Sequence, residues 1–266
     1  MKSFLKIASS RPFLALSIIA LHGTRMFPVT TPTAKILIGT HHKVLTKYLT
    51  RVFSAFAAAS KRSLSSGTGD RLDYGADILL DHHSRFDFSK VNPPVVGIHV
   101  RRDPRDLLIS AARYHLTSKE SWLHKPLDRL AGKTYQEYLR ALPTFEEQLL
   151  FELDGAAAYD IRQMLDWPYG IHGINEWRYE DLVTYGGLQK NLKQIAAEWP
   201  LSAIELRVLS GLFLHYSVFG SGSRGYAHIR NPRPSQYKDS FSKRVEDRFR
   251  EVLPGALERL GYDTSS

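Results

Sequence analysis

The turn Thr40-His41-His42-Lys43-Val44-Leu45-Thr46-Lys47 joins a strand-length apolar run, Lys35–Gly39, to a segment of helical period. A buried strand running into a helix aims several backbone N–H groups and the positive end of the helix dipole at one point, which is a recipe for holding a phosphate. Lys43 and Lys47 add charge there. The nucleoside-triphosphatase form of this turn requires Gly39-x-x-x-x-Gly-Lys-Thr. Thr46 supplies the hydroxyl, but Val44 and Leu45 stand where Gly and Lys belong, so ATPase or kinase chemistry loses ground.

A second cationic group follows the run Val95–Val100: Val100-Arg101-Arg102-Asp103-Pro104-Arg105-Asp106-Leu107-Leu108-Ile109-Ser110. Asp103 before Pro104 is a helix start, with the aspartate as cap and the proline in the first turn. Arg102 then stands at a strand end and Ser110 about two turns into a helix, so both reach one phosphate only where the chain folds back between them. His82 and His83 end the run Asp77–Asp81, and imidazole accepts a proton near neutral pH. Tyr179-Glu180-Asp181-Leu182 closes a run at about Gly173–Trp177, and Arg230 precedes Tyr237-Lys238 by seven residues.

In this order the segments resemble those of the sulfotransferases that use 3'-phosphoadenosine 5'-phosphosulfate (PAPS). The family's first loop commonly reads Tyr-Pro-Lys-Ser-Gly-Thr-Thr-Trp-Leu; aligned without a gap, the chain has His41-His42-Lys43-Val44-Leu45-Thr46-Lys47-Tyr48-Leu49. Lys43 and Thr46 match, and Tyr48 keeps an aromatic. The Arg102 to Ser110 segment looks like the family's loop for the ribose phosphate, Tyr179-Glu180-Asp181-Leu182 like its Tyr-Glu-Asp-Leu near the adenine, and Arg230 to Lys238 like its C-terminal loop.

The resemblance covers residues 35 to about 262 and implies an α/β fold, a parallel β-sheet flanked by helices with a P-loop-like nucleotide-binding architecture. It implies in-line transfer of a sulfuryl group from PAPS to a hydroxyl or amine, with no metal. Cofactor contacts would fall on His42, Lys43, Thr46, Lys47, Tyr48, Arg102, Ser110, Tyr179 and Arg230. Lys43 would stabilise the leaving phosphate. Aligning Leu79-Leu80 with the strand before the family's catalytic histidine makes His83 the base, with His82 the alternative that strand alternation points elsewhere. His41 and His42 either donate to the phosphosulfate or shape the turn. Leu45 in place of the loop glycine implies a backbone that avoids positive φ there. Asn231 and Pro232 replace the Lys-Gly pair of the C-terminal loop. The competing reading is a non-catalytic or kinase-like nucleotide-binding P-loop protein, for which Asp81 is the candidate magnesium carboxylate.

Short apolar runs at 35–39, 77–81 and 95–100, and a fourth strand at about 173–177, alternate with helical periods: through about 59, from 103, over 149–164, 181–198 and 201–217, and from 243 to 260. Residues 60–70 and 220–236 read as loops. One α/β domain over residues 34–266 is the simplest account, after an N-terminal segment, 1–33, that is either a packed helix or a targeting segment. Its apolar run, Phe13–Leu21, is too short to span a bilayer. Residues 1–69 hold ten Lys/Arg and no carboxylate, which more than accounts for the net charge of +9 and points to an anionic ligand near this third of the chain. Nucleic acid is disfavoured, since the basic residues gather in turns and one loop; the acceptor is a small molecule, carbohydrate or lipid, and the expected location is cytoplasmic. The absence of cysteine removes thiolate and disulfide chemistry. Trp122, Tyr135, Tyr138, Trp167 and Phe219 are expected in the core rather than in an acceptor cavity.

Overall fold

The computed structural model describes residues 32–223 and 231–264. They fall into two compact units, the first built from described parts of Met1–His41, Leu45–Arg101 and Pro168–Pro232, the second from His42–Val44, Arg102–Trp167 and Arg233–Ser266.

The first unit holds an all-parallel sheet of β1 (Lys35–Gly39), β2 (Leu64–Gly67), β3 (Ile78–Asp81), β4 (Val95–Arg101) and β5 (Ile174–Arg178), in the order β2-β3-β1-β4-β5. Parallel strands need both faces covered, which explains why β1 and β3 read as nearly continuous apolar runs. Helix α1 (Thr46–Ser60) buries Leu49, Val52, Phe53 and Phe56. Phe53 meets Phe213 of the later helix Ala203–Tyr216 edge-on, with ring centroids 5.8 Å apart, and Phe213 also packs against Trp177 of β5. Arg62 and Glu205 form an ion pair of 2.8 Å with both side chains buried.

The registers align Gly67, Asp81, Gly39, His99 and Glu176 in one transverse row near the carboxyl ends of the strands. Partners in such a row present side chains to the same face. A Cβ on Gly39 would lie 2.8 Å from Ser84 Oγ and 3.2 Å from His99 Cδ2, so glycine leaves the space that those two side chains fill.

The second unit is helical: α2 (Pro104–His115), α3 (Tyr135–Ala141), α4 (Phe145–Leu153), α5 (Ala156–Leu165) and, near the C-terminus, Tyr237–Ser240, Lys243–Val252 and Ala256–Arg259. In α2, Asp103 accepts the N–H of Arg105 as cap, and Leu107, Leu108, Ala111 and Ala112 are fully buried.

Several expected boundaries are corrected. Residues 64–67 are an edge strand rather than loop; with one neighbour and partial exposure it tolerates serines. The helical pattern of 149–164 is two helices broken at Gly155, whose missing Cβ admits Tyr135 Oη. The helix expected over 243–260 stops at Val252, because Pro254 lacks an N–H and Gly255 takes φ 66°. Tyr135 and Trp167 are buried, but Trp122 and Phe219 are 38% and 49% exposed and do not belong to the core. Nearly all of the N-terminal segment 1–33 lies outside the described residues. No helix among the described residues is long and apolar enough to cross a membrane.

Lys61, the exposed residue that ends α1, sits at φ 57° with its N–H on the carbonyl of Ala57. Glycine takes this left-handed cap without a Cβ clash, partly offset by its greater unfolded-state entropy, so Lys61→Gly is expected to stabilise the fold by about 0.5–1 kcal/mol. A denaturant midpoint that falls instead would refute this.

Candidate functional site

In the first unit the turn after β1 is tied down from three sides. Thr40 donates its N–H to the carbonyl of Asp81 at 3.0 Å, and its own carbonyl accepts Ser84 Oγ at 2.9 Å. Thr46 Oγ1 lies 2.9 Å from Thr40 Oγ1 and donates to the carbonyl of His41 at 3.0 Å, linking the first residue of α1 to the end of β1. Leu45 caps α1 with φ 61° and ψ 15°. The expectation that leucine would abolish positive φ here is therefore wrong: the turn keeps the left-handed conformation at a side chain that disfavours it, a strain of about 1–2 kcal/mol held by the bonds on either side.

The two histidines after β3 diverge. Asp81 is fully buried, and its carboxylate accepts the N–H of His83 at 2.8 Å through one oxygen and the N–H of Gly69 at 2.8 Å through the other. Each carboxylate oxygen thus accepts one backbone N–H. His82 Nε2 lies 3.1 Å from Ser66 Oγ of β2, and burial lowers its pKa. His83 is near enough to His41 for its charge to disfavour protonation there.

His41 Nε2 and His99 Nε2 are 2.8 Å apart, and His99 Nδ1 is 2.7 Å from Glu176 Oε2. Both rings are completely buried, and desolvation, reinforced for His41 by His99 and for His99 by Arg101, holds both pKa values well below the ordinary imidazole range. Sequence reading missed His99 and Glu176. The signal was a polar residue inside each of two buried strands, His99 in VVGIHVR and Glu176 in INEWR.

In the second unit, Lys43 and Arg102 come together: Arg102 Nη1 donates to the carbonyl of Lys43 at 3.1 Å. Lys43 takes φ 60°, and its ammonium lies 4.0 Å above the ring centre of Tyr114. The Tyr114 hydroxyl donates to Glu120 at 2.8 Å, and Trp122 Nε1 donates to the other oxygen of that carboxylate at 2.8 Å. His42 stacks on His115 at 5.5 Å. Ser110 is half-buried on α2.

The start of α2 also secures the C-terminal loop. Asp106 accepts the N–H groups of Ser235 at 2.7 Å and Tyr237 at 3.0 Å, while Arg105, paired with Asp103, lies 3.6 Å from the ring centre of Tyr237. Burial raises the pKa of Asp106. Sequence reading did not single out this aspartate, because nothing local marks which loop an i+3 residue of a capped helix will meet.

Two other candidates, Tyr48 and Tyr179, bond to main-chain carbonyls. Tyr48 donates its hydroxyl to the carbonyl of Phe213 at 2.8 Å, and burial raises its pKa. Tyr179 is buried and donates to the carbonyl of Pro232 at 3.2 Å. Lys47 is exposed on the first turn of α1, which carries no acidic residue. Arg230 lies outside the described residues.

No family model and no curated protein matches the sequence. Among solved structures, the crystal structure of mouse sulfotransferase SULT7A1 complexed with PAP matches with a TM-score of 0.54, covering 86% of each chain. The chain has the sulfotransferase fold. At 13% identity this likeness is one of architecture. Along this chain β1 is followed by the turn of Lys43, and β4 by the segment of Arg102.

Proposed function

We propose that the chain is a sulfotransferase that moves a sulfuryl group from PAPS to the hydroxyl or amine of a small-molecule, carbohydrate or lipid acceptor. The observation that supports this most directly is the bond from Arg102 to the Lys43 carbonyl, which sets two cationic anchors side by side in one compact unit. The residues suit a doubly anionic nucleotide: an acid-free helix start, an ammonium held on an aromatic face, and a guanidinium at a strand end. Lys43 stabilises charge that grows on the leaving phosphate, Arg102 and Ser110 hold the ribose phosphate, and His83 takes the acceptor's proton. His42, Thr46, Lys47, Tyr48, Tyr179 and Arg230 complete the nucleotide site in this reading.

Titrating the purified chain with PAP, ATP and an oligonucleotide tests it, and PAP alone is expected to bind tightly. Arg102→Ala removes a charge-assisted contact of about 1.5–3 kcal/mol, so PAP affinity is expected to fall about 10–100-fold. Equal affinity for ATP and PAP, or an Arg102→Ala chain that binds PAP like the wild type, would reject the assignment. A screen of alcohols, phenols, sugars and lipids with labelled sulfate donor then identifies the acceptor class.

A further inference from the structure

We propose that Tyr114 is the positioning residue for Lys43: its ring face holds the ammonium ready for the leaving phosphate, and the Glu120 carboxylate fixes the ring in place. The inference rests on the sulfotransferase reading for the use of Lys43, but the contact itself stands apart from it. Every residue in it belongs to the second unit. The Lys43 ammonium lies 4.0 Å from the ring centre of Tyr114, well inside the roughly 6 Å over which an aromatic face attracts a cation.

The ring is held on several sides. Its backbone belongs to α2, where the neighbouring Ala111, Ala112 and His115 are buried. The hydroxyl donates to one oxygen of Glu120 at 2.8 Å, and Trp122 Nε1 donates to the other at 2.8 Å, so the carboxylate cannot turn without giving up a bond. Glu120 donates its N–H to Ser118 Oγ at 3.2 Å, and Ser118 donates its N–H to the carbonyl of Tyr114 at 2.8 Å. The segment that carries the anchor is thus closed back onto residue 114. On the other side the His42 ring lies 5.4 Å from that of Tyr114, tilted by 58°, and stacks on His115. Residues 42 and 43 therefore both lean on the end of α2.

A lysine carries its charge on a flexible stem, and ordering that stem at the moment of reaction would add to the barrier. An aromatic face orders the ammonium beforehand and leaves its charge intact, whereas a carboxylate in direct contact would neutralise what the leaving phosphate needs. Glu120 acts through the ring instead. By accepting the phenol O–H it makes the ring more electron-rich, which strengthens the negative face turned to the cation. Ser110 and Tyr114 are one turn apart on α2 and share a face, so that face carries both the hydroxyl assigned to the ribose phosphate and the rest for the ammonium. Tyr114 acts on the reaction through Lys43 alone.

The test uses the full chain with phenylalanine and its mono-, di- and trifluorinated analogues incorporated at position 114, alongside Tyr114→Leu. Fluorine withdraws electron density from the ring face with little change of shape, so a ring that only fills space would not respond. The kcat for sulfate transfer is expected to fall stepwise with each fluorine, and Tyr114→Leu, which removes the face, to lose about threefold to thirtyfold. In ligand-free wild type labelled with 13C-lysine, the ε-methylene protons of Lys43, assigned by their loss in Lys43→Arg, are expected upfield of those of the other lysines, because they lie in the ring current of Tyr114. An ordinary Lys43 resonance in the wild type overturns the contact whether or not the chain is active. A flat fluorine series in a chain that transfers sulfate overturns the positioning role alone. A wild type that binds no PAP overturns the sulfotransferase reading and the role with it, while the resonance still reports the contact.

Discussion

Lys43→Ala is expected to lower kcat for sulfate transfer about 10²–10³-fold, the scale of losing one preorganised donor at a developing charge, and to weaken PAP, whose 5'-phosphate carries that charge in full. Both effects follow from which atoms of Lys43 do what. Arg102 binds the main-chain carbonyl of Lys43, an atom that alanine keeps, so the second anchor should hold its place. The left-handed φ of 60° is about as costly for alanine as for lysine, so the turn gains no new strain. What disappears is the ammonium above Tyr114. Lys43→Arg restores the charge as a planar fork in a place suited to a compact cation, and is expected to recover only part of the rate. Quenched-flow turnover with labelled sulfate, paired with calorimetric PAP titration, measures both quantities. Wild-type turnover from Lys43→Ala would remove the lysine from the chemistry.

The sequence signals worked where one segment carried all the information. β1, β3 and β4 are largely apolar runs that a parallel sheet demands, and Asp103-Pro104 announces α2 because cap and proline chemistry are local. β2 escaped because an edge strand makes fewer demands on its side chains: LSSG has the composition of a loop and becomes a strand only by pairing with β3. Leu45 shows the opposite failure. Its left-handed backbone contradicts its own preference and is imposed by Thr46, Thr40 and Ser84, which pin the turn on both sides.

The candidate site divides in the same way. Lys43 and Arg102 were legible as motif positions, and the structure adds the bond that joins them. The row Asp81, Gly39, His99, Glu176 was not legible, because it depends on strand order and register, which no single segment contains. His41 lies in the same turn as Lys43, yet its partner is His99, which in turn meets Glu176. A buried histidine next to an arginine-rich strand end signals a missing partner, and the fold supplies it from β5.

His83→Ala is expected to reduce kcat about 10²–10⁴-fold, the range for removing a positioned base, whereas His82→Ala should cost less than about tenfold. The two residues are adjacent in sequence but serve different neighbours. Asp81 grips the main-chain N–H of His83 and so fixes the turn without using its ring, while the ring of His82 sits on Ser66 of the edge strand. Alanine at 83 keeps the N–H that Asp81 holds, so the turn should survive the substitution. A base must be unprotonated to act, so an acid limb in wild-type turnover that belongs to His83 should vanish from whatever activity remains in His83→Ala. Burial lowers the pKa of His82, so a limb governed by His82 would lie at more acid pH than an ordinary histidine gives. Profiles of kcat against pH for the wild type and both variants decide between them: loss of the limb in His82→Ala, with His83→Ala retaining wild-type turnover, would transfer the role to His82.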